Sequence, residues 1–160
     1  MSPALVFVCW GNICRSPMGE RVALRHLADA ALDARVWSAG VSAEEEGNPI
    51  DRRARRTLLG HGYTADGHRA HRITAAEVDQ ADLVLAFEPL HVDRLLRIAP
   101  GASNVALMTD FIPDAGTDSI ADPWYGGQED FEVTLGLIEA AMPGILERVR
   151  SLGGGGARLS

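Results

Sequence analysis

Residues 4–8 read Ala-Leu-Val-Phe-Val, a strand-length run without one polar side chain. A strand that is apolar on both faces has to be covered on both faces, which points to a parallel sheet between helical layers. The rest of the chain keeps that rhythm, alternating short apolar runs with longer amphipathic ones. From Pro17 the period becomes helical, with Met18, Val22, Leu27 and Ala31 near one face and the proline suited to a first turn. Residues 35–38, 82–87 and 105–108 read as three further strands. Asp51 is placed to cap a helix that carries Ala54, Leu58 and Leu59 and stops at Gly60 and Gly62. Residues 88–99 form another, with Pro89 in its first turn. A last helix from Glu129 puts Phe131, Leu135, Ile138, Met142, Ile145 and Val149 on one face, and Pro143 should kink it or open a new turn. The expected fold is α/β, a single three-layer sandwich whose four-stranded parallel sheet is flanked by helices, of the flavodoxin-like, doubly wound type. One domain spans 1–152, and the glycine-rich segment 153–160 reads as a flexible tail.

Composition narrows the function. The longest apolar run is far too short to span a bilayer, and no basic segment precedes it as a secretory signal requires, so a cytoplasmic protein without membrane attachment is expected. A net charge of −7 argues against nucleic acid as a partner. All 15 basic residues are arginine, which excludes Schiff-base chemistry and a lysine-dependent nucleotide loop. Cys9 and Cys14 are too few for a disulfide scaffold or a four-thiolate metal site. The five histidines show no paired ligand spacing, so neither a metal nor another cofactor is expected.

The chemistry lies in residues 9–16, Cys-Trp-Gly-Asn-Ile-Cys-Arg-Ser, between the first strand and the first helix. Open α/β sheets bind ligands at the carboxyl ends of their strands. There the loop amides and the helix N-terminus favour an anion. Gly11 and Asn12 tolerate the left-handed backbone that such a nest needs. Cys9 opens the loop and Arg15 closes it. The amides, Arg15 and the helix end all favour negative charge on the sulfur. The fork of Arg15 matches two oxygens of a tetrahedral oxyanion. Ser16 can donate its hydroxyl to the sulfur. A nucleophile and an oxyanion cradle in eight residues imply phosphoryl transfer through a cysteinyl-phosphate. Residues 109–128 form a second, aperiodic segment of a length that is usually functional.

The nine residues Cys-Trp-Gly-Asn-Ile-Cys-Arg-Ser-Pro resemble the signature loop of the low-molecular-weight protein tyrosine phosphatases. Asp122-Pro123-Trp124-Tyr125-Gly126 resembles that family's late acid loop. The resemblance extends over Ser38-Ala39-Gly40, Gly47, Asp51, Ala54, His68, Ala70, Ile73 and Thr74. It implies hydrolysis of phosphotyrosine in proteins and of small aryl phosphates, with tyrosine-phosphorylated proteins as partners and phosphate or sulfate as site ligands. It implies Cys9 as nucleophile, Arg15 with Trp10, Gly11, Asn12, Ile13, Cys14 and Ser16 as phosphate loop, and Asp122 as general acid. Asp118, Asp114 and Asp110 are the alternative carboxyls on the same segment. Trp10, Trp124 and Tyr125 would wall the substrate pocket. Asn12, Ser16, Ser42 and His68 would form the polar network that braces the loop, although on spacing alone His68 is an ordinary surface histidine. Cys14 would be either a reversible disulfide partner of Cys9 or a buried inert thiol.

Two positions depart from the family pattern. Trp10 stands where a smaller residue such as Leu or Thr is usual, and it either extends the pocket wall or packs beneath a neighbouring loop. Glu44-Glu45-Glu46 stand near a place that often carries an aromatic, as an acidic rim or as a solvated turn. Arsenate reduction on the same fold needs further thiols elsewhere in the chain, and both cysteines lie in one loop. A mere phosphate binder has no use for Cys9 together with Asp122.

Overall fold

The computed structural model describes residues 2–159, with side chains described as far as Gly153; most of the expected tail, 153–160, therefore lies outside the described side chains. Four parallel strands make one sheet in the order β2-β1-β3-β4. They are β1 (Ala4–Cys9), β2 (Arg35–Gly40), β3 (Leu83–Ala86) and β4 (Val105–Leu107). The helices are α1 (Arg15–Asp29), α2 (Arg52–Gly60), α3 (Ala75–Gln80), α4 (Pro89–Ile98) and α5 (Gln128–Leu159). Alternation along the strands divides the core. Leu5, Phe7 and Cys9 of β1 and Leu83 and Leu85 of β3 pack with Met18 and Val22 of α1 and with Phe131, Ile138 and Ile145 of α5. Val6, Val8, Val84 and Ala86 face the other way, against Val78 of α3 and Leu95 of α4. Three layers result, as the apolar run of β1 requires, and each fully buried Phe or Leu contributes about 1.5–3 kcal/mol. The chain leaves β1 toward β2 on one side and returns as β3 on the other. That reversal opens a crevice at the carboxyl ends of β1 and β3, where doubly wound sheets hold ligands.

Several boundaries differ from expectation for identifiable reasons. The strands β1 and β2 run on to Cys9 and Gly40, and α1 begins at Arg15 rather than Pro17. The short helix α3 has only Val78 buried, too little for a periodic signal; its mark in the sequence is the capping box of Thr74 and Glu77. Leu59 points outward, 48% exposed, while Ala54 and Leu58 are fully buried. Strand β4 is followed not by a helix but by a 3₁₀ turn (Met108–Phe111), and a second one (Pro123–Tyr125) interrupts the long loop. One helix runs through Pro143, because Met142 and Ile145 are buried on either side and Gly144 lies against Phe111. The backbone stays helical across the four glycines to Leu159, since glycine weakens a helix by about 1 kcal/mol per residue without blocking its hydrogen bonds as proline does. No helix among the described residues is long and apolar enough to cross a membrane.

Ala31 is not on the apolar face of α1. It ends that helix in the left-handed region, with φ of 55°. Its N–H donates to the Ala28 carbonyl at 3.1 Å and that of Leu32 to Leu27 at 2.9 Å, the pairing of a Schellman turn. Glycine is the residue suited to that site. Ala31→Gly is expected to stabilise the fold by about 0.5–1 kcal/mol. Thermal unfolding should show a Tm higher by about 1–4 °C.

Candidate active site

Cys9 ends β1 and Arg15 begins α1, so the five residues between them must turn the chain within one crevice. Asn12 makes that turn with φ of 61°, and it is fully buried. Its side-chain amide donates to Ser16 Oγ at 2.8 Å and to Ser38 Oγ at 3.0 Å, and its Oδ1 accepts the His71 N–H at 3.1 Å. Its backbone carbonyl accepts from His68 Nε2–H at 2.6 Å. Burial, opposed by that bond, lowers the His68 pKa from its ordinary value, which keeps the ring neutral. Ser38 in turn donates to Glu20 at 2.7 Å. Because the Ser16 oxygen accepts from Asn12, its proton is directed at Cys9 Sγ, 3.0 Å away, and the Ser16 N–H lies 3.4 Å from the same sulfur. Both donors stabilise negative charge there. Cys14 has the opposite setting. Burial foremost, then Asp51, Cys9 and Asp122, pushes its thiol far up, so it stays neutral.

Ser42 braces the loop at a different point from the one expected. Its hydroxyl donates to the Trp10 carbonyl at 3.0 Å, and Ser38 takes the place beside Asn12. Gly40 has no room for a side chain, since a Cβ there would lie 2.7 Å from the Trp10 carbonyl oxygen.

Arg15 is buried, and its guanidinium is gripped from behind. Nη1 donates to Glu88 Oε2 at 2.5 Å and to the Ile120 carbonyl at 2.8 Å. Nη2 lies 3.7 Å from Asp122 Oδ2 and 3.4 Å from Nε2 of the fully buried His91. His91 Nδ1 faces the Phe87 N–H at 3.3 Å, so both ring nitrogens lie beside N–H donors. Burial first and the Arg15 cation second push His91 down to about 3. They outweigh Glu88, 3.8 Å away and already engaged by Arg15. Neither Glu88 nor His91 was anticipated from the sequence. The available signal was position: both follow the carboxyl end of β3, across the crevice from the phosphate loop.

A cavity of about 420 Å³ opens above the loop. Cys9, Arg15 and Asp122 all line it, together with Trp10, Trp124 and Tyr125. Gly11, Ile13 and Cys14 line it too, as do Glu44 and Glu45 at its rim. Asp122 uses Oδ1 to cap the second 3₁₀ turn, accepting the Trp124 N–H at 3.0 Å, and this leaves Oδ2 facing Arg15. The alternative acids Asp110, Asp114 and Asp118 are absent from the lining. Trp10 donates its indole N–H to Glu44 at 2.9 Å, and the Arg94 guanidinium lies 5.0 Å over its ring. Tyr125 is 89% exposed and stands at the mouth rather than as a closed wall. Among the described residues, no group of three or more His, Cys, Asp or Glu side chains is gathered for a metal.

The buried His91 makes stability depend on acid. In the native state it remains neutral down to about 3, while in the unfolded chain it protonates near 6.5. The unfolded state therefore binds more protons between those values, and stability falls as pH drops through that window. The expected loss is on the order of a few kcal/mol. His91→Gln should flatten this slope relative to the wild type in urea unfolding between pH 7 and pH 4, and an unchanged slope would count against the neutral buried ring.

Residues 4–152 match the family described as low molecular weight phosphotyrosine protein phosphatase. A low molecular weight protein-tyrosine-phosphatase of Streptomyces coelicolor is 40% identical over 157 residues, covering 94% of this chain and 95% of that protein. Among solved structures, a protein tyrosine phosphatase from Entamoeba histolytica superposes with a TM-score of 0.89 at 28% identity, over 94% of this chain and 98% of that one. Vibrio vulnificus Wzb in complex with benzylphosphonate superposes at 0.81 with 32% identity, over 92% and 99%. The fold and the sequence are thus shared along nearly the whole chain, and the protein belongs to the low molecular weight phosphotyrosine protein phosphatase family of hydrolases.

Proposed function

We propose that this chain hydrolyses phosphotyrosine in proteins, and small aryl phosphates, through a cysteinyl-phosphate. The observation that carries the proposal is the convergence in one cavity of a doubly hydrogen-bonded Cys9 sulfur, a buried Arg15 and the free oxygen of Asp122. Cys9 Sγ attacks phosphorus in line, forming the S–P bond while the P–O bond to the phenol breaks. The loop amides and Arg15 hold the equatorial oxygens, where charge develops. Without ligand, Asp122 is the nearest counter-charge on the open side of Arg15, at 3.7 Å. A bound phosphate dianion takes over that attraction and favours the protonated carboxyl, which delivers its proton to the departing oxygen. As carboxylate it then draws a proton from water, whose oxygen attacks phosphorus and expels the sulfur. The Ser16 hydroxyl and N–H receive the returning thiolate. Benzylphosphonate bound to the Vibrio vulnificus relative supports an aryl group at such a site. Glu44 and Glu45 at the rim favour neutral or basic sequence around the phosphotyrosine. Two free thiols at the site suit a reducing, cytoplasmic setting.

Cys9→Ser should abolish turnover of an aryl phosphate yet still bind inorganic phosphate; retained turnover would exclude Cys9 as nucleophile. Asp122→Asn should lower kcat/KM for esters of weakly acidic alcohols by about 10²–10⁴. Esters of acidic phenols, which leave unaided, should lose much less and show a burst as the cysteinyl-phosphate accumulates. An equal loss for both ester types would exclude Asp122 as the proton donor.

A further inference from the structure

Arg53, the second residue of α2, has no part in the chemistry above, yet it connects the two loops that perform it. Its neighbour Asp51 donates its backbone N–H to the Ile13 carbonyl at 2.9 Å, which fastens the start of α2 to the phosphate loop. The Asp51 carboxylate caps α2 and accepts from Arg53 Nε at 3.2 Å and from Nη2 at 3.1 Å. The remaining edge of the guanidinium reaches the acid loop, where Nη1 donates to the Trp124 carbonyl at 3.1 Å and to the Gly126 carbonyl at 2.9 Å. The plane of the group lies against two aromatic rings, 5.3 Å from the centre of Trp124 and 4.6 Å from that of Phe131.

Besides Arg53, the acid loop is held by the buried Ile120 just before it, whose N–H donates to the Phe87 carbonyl at 2.8 Å and whose carbonyl accepts from Arg15, and by the approach of Asp122 to Arg15 at 3.7 Å. Among the described residues, the two bonds from Arg53 are the only hydrogen bonds joining 121–126 to another part of the chain; the others, Trp124 N–H to Asp122 and Gly126 N–H to Pro123, close the turn on itself. Only Pro123 of the Asp-Pro-Trp-Tyr-Gly segment is buried. Arg53 is therefore a strut between Ile13 and Trp124. We propose that it is a positioning residue that sets where Asp122 stands relative to the phosphorus over Cys9, a role that rests on Asp122 being the general acid. Lysine cannot replace it, because an ammonium lacks the opposed edges that hold a carboxylate and two carbonyls at once.

The test is a kinetic cycle of wild type, Arg53→Gln, Asp122→Asn and the double variant, on phosphate esters of graded leaving-group acidity. Inhibition by inorganic phosphate and thermal unfolding are recorded alongside. Misplacing a reacting group by about 1 Å costs on the order of 10²-fold. Arg53→Gln is expected to lower kcat/KM by about 10–10²-fold for poor leaving groups and far less for good ones. Phosphate inhibition should stay within about twofold, since the cradle is untouched, and the double variant should be no slower than Asp122→Asn, because both lesions act at one proton. Where Arg53→Gln fails to fold, Arg53→Lys, which keeps the charge and the stem, carries the test and should show the same pattern with a smaller fold-change. A loss equal for all esters, a multiplied loss in the double variant, or weakened phosphate inhibition would overturn the role of Arg53. A leaving-group-dependent loss in Asp122→Asn without one at Arg53 would overturn it alone. A uniform loss in Asp122→Asn would overturn the acid itself, and the strut with it.

Discussion

The site rests on a buried asparagine held in a conformation that few residues adopt. Left-handed backbone at a non-glycine residue costs on the order of 1–3 kcal/mol and persists only where its surroundings over-determine it. Asn12 meets that condition with both side-chain amide hydrogens, its Oδ1 and its backbone carbonyl, through Ser16, Ser38, the His71 N–H and His68. The arrangement couples folding to chemistry. The amide of Asn12 occupies the Ser16 oxygen, which leaves the Ser16 proton no better acceptor than the Cys9 sulfur. Gly40 completes the constraint from β2, since the loop passes too close to it for any side chain.

Arg15 shows the same logic on the other side of the crevice. A mobile guanidinium would lose entropy each time it gripped an anion, whereas a buried one fixed by Glu88 and Ile120 is already ordered. Burying that charge is tolerable because Glu88 is paired with it and His91 is kept neutral beside it. The Arg15 side of the crevice is therefore held by buried contacts, whereas Asp122 is exposed. Asp122 stands on an exposed 3₁₀ turn tied to the frame through Arg53, and Trp124 and Tyr125 stand on the same turn. Buried contacts thus hold Cys9 and Arg15, while Asp122, Trp124 and Tyr125 share one exposed turn.

How much was legible from sequence divides along the range of the interactions. The apolar strand, the asparagine of the loop, the Asp51 cap and the long apolar face of α5 are local or periodic signals, and each reappears in the fold; Gly11, also expected to take left-handed backbone, does not, and Asn12 alone makes that turn. Cys9, Arg15 and Asp122 were nameable because residue type and motif spacing carry the chemistry, and they line one cavity. Exchanging Ser42 for Ser38 beside Asn12 was beyond that reach. The two serines lie four residues apart and both meet the loop, and only the register of β2 against β1 decides that Ser38 reaches Asn12 while Ser42 reaches Trp10.

Glu88, His91 and Arg53 mark the limit. Nothing local distinguishes Arg53 from Arg52, Arg55 or Arg56 in its helix, or Glu88 from other acids that precede a helix. Their importance comes from partners 71 to 76 positions away: Trp124 and Gly126 for Arg53, and Arg15 for Glu88 and His91. Primary structure determined the layers, the loop of residues 9–16 and the family, because those depend on patterns within a few turns of chain. Tertiary packing alone decided what holds the guanidinium, what keeps a histidine uncharged and what anchors the acid loop, because burial and long-range pairing exist only once β1, β3, α2 and the acid loop meet.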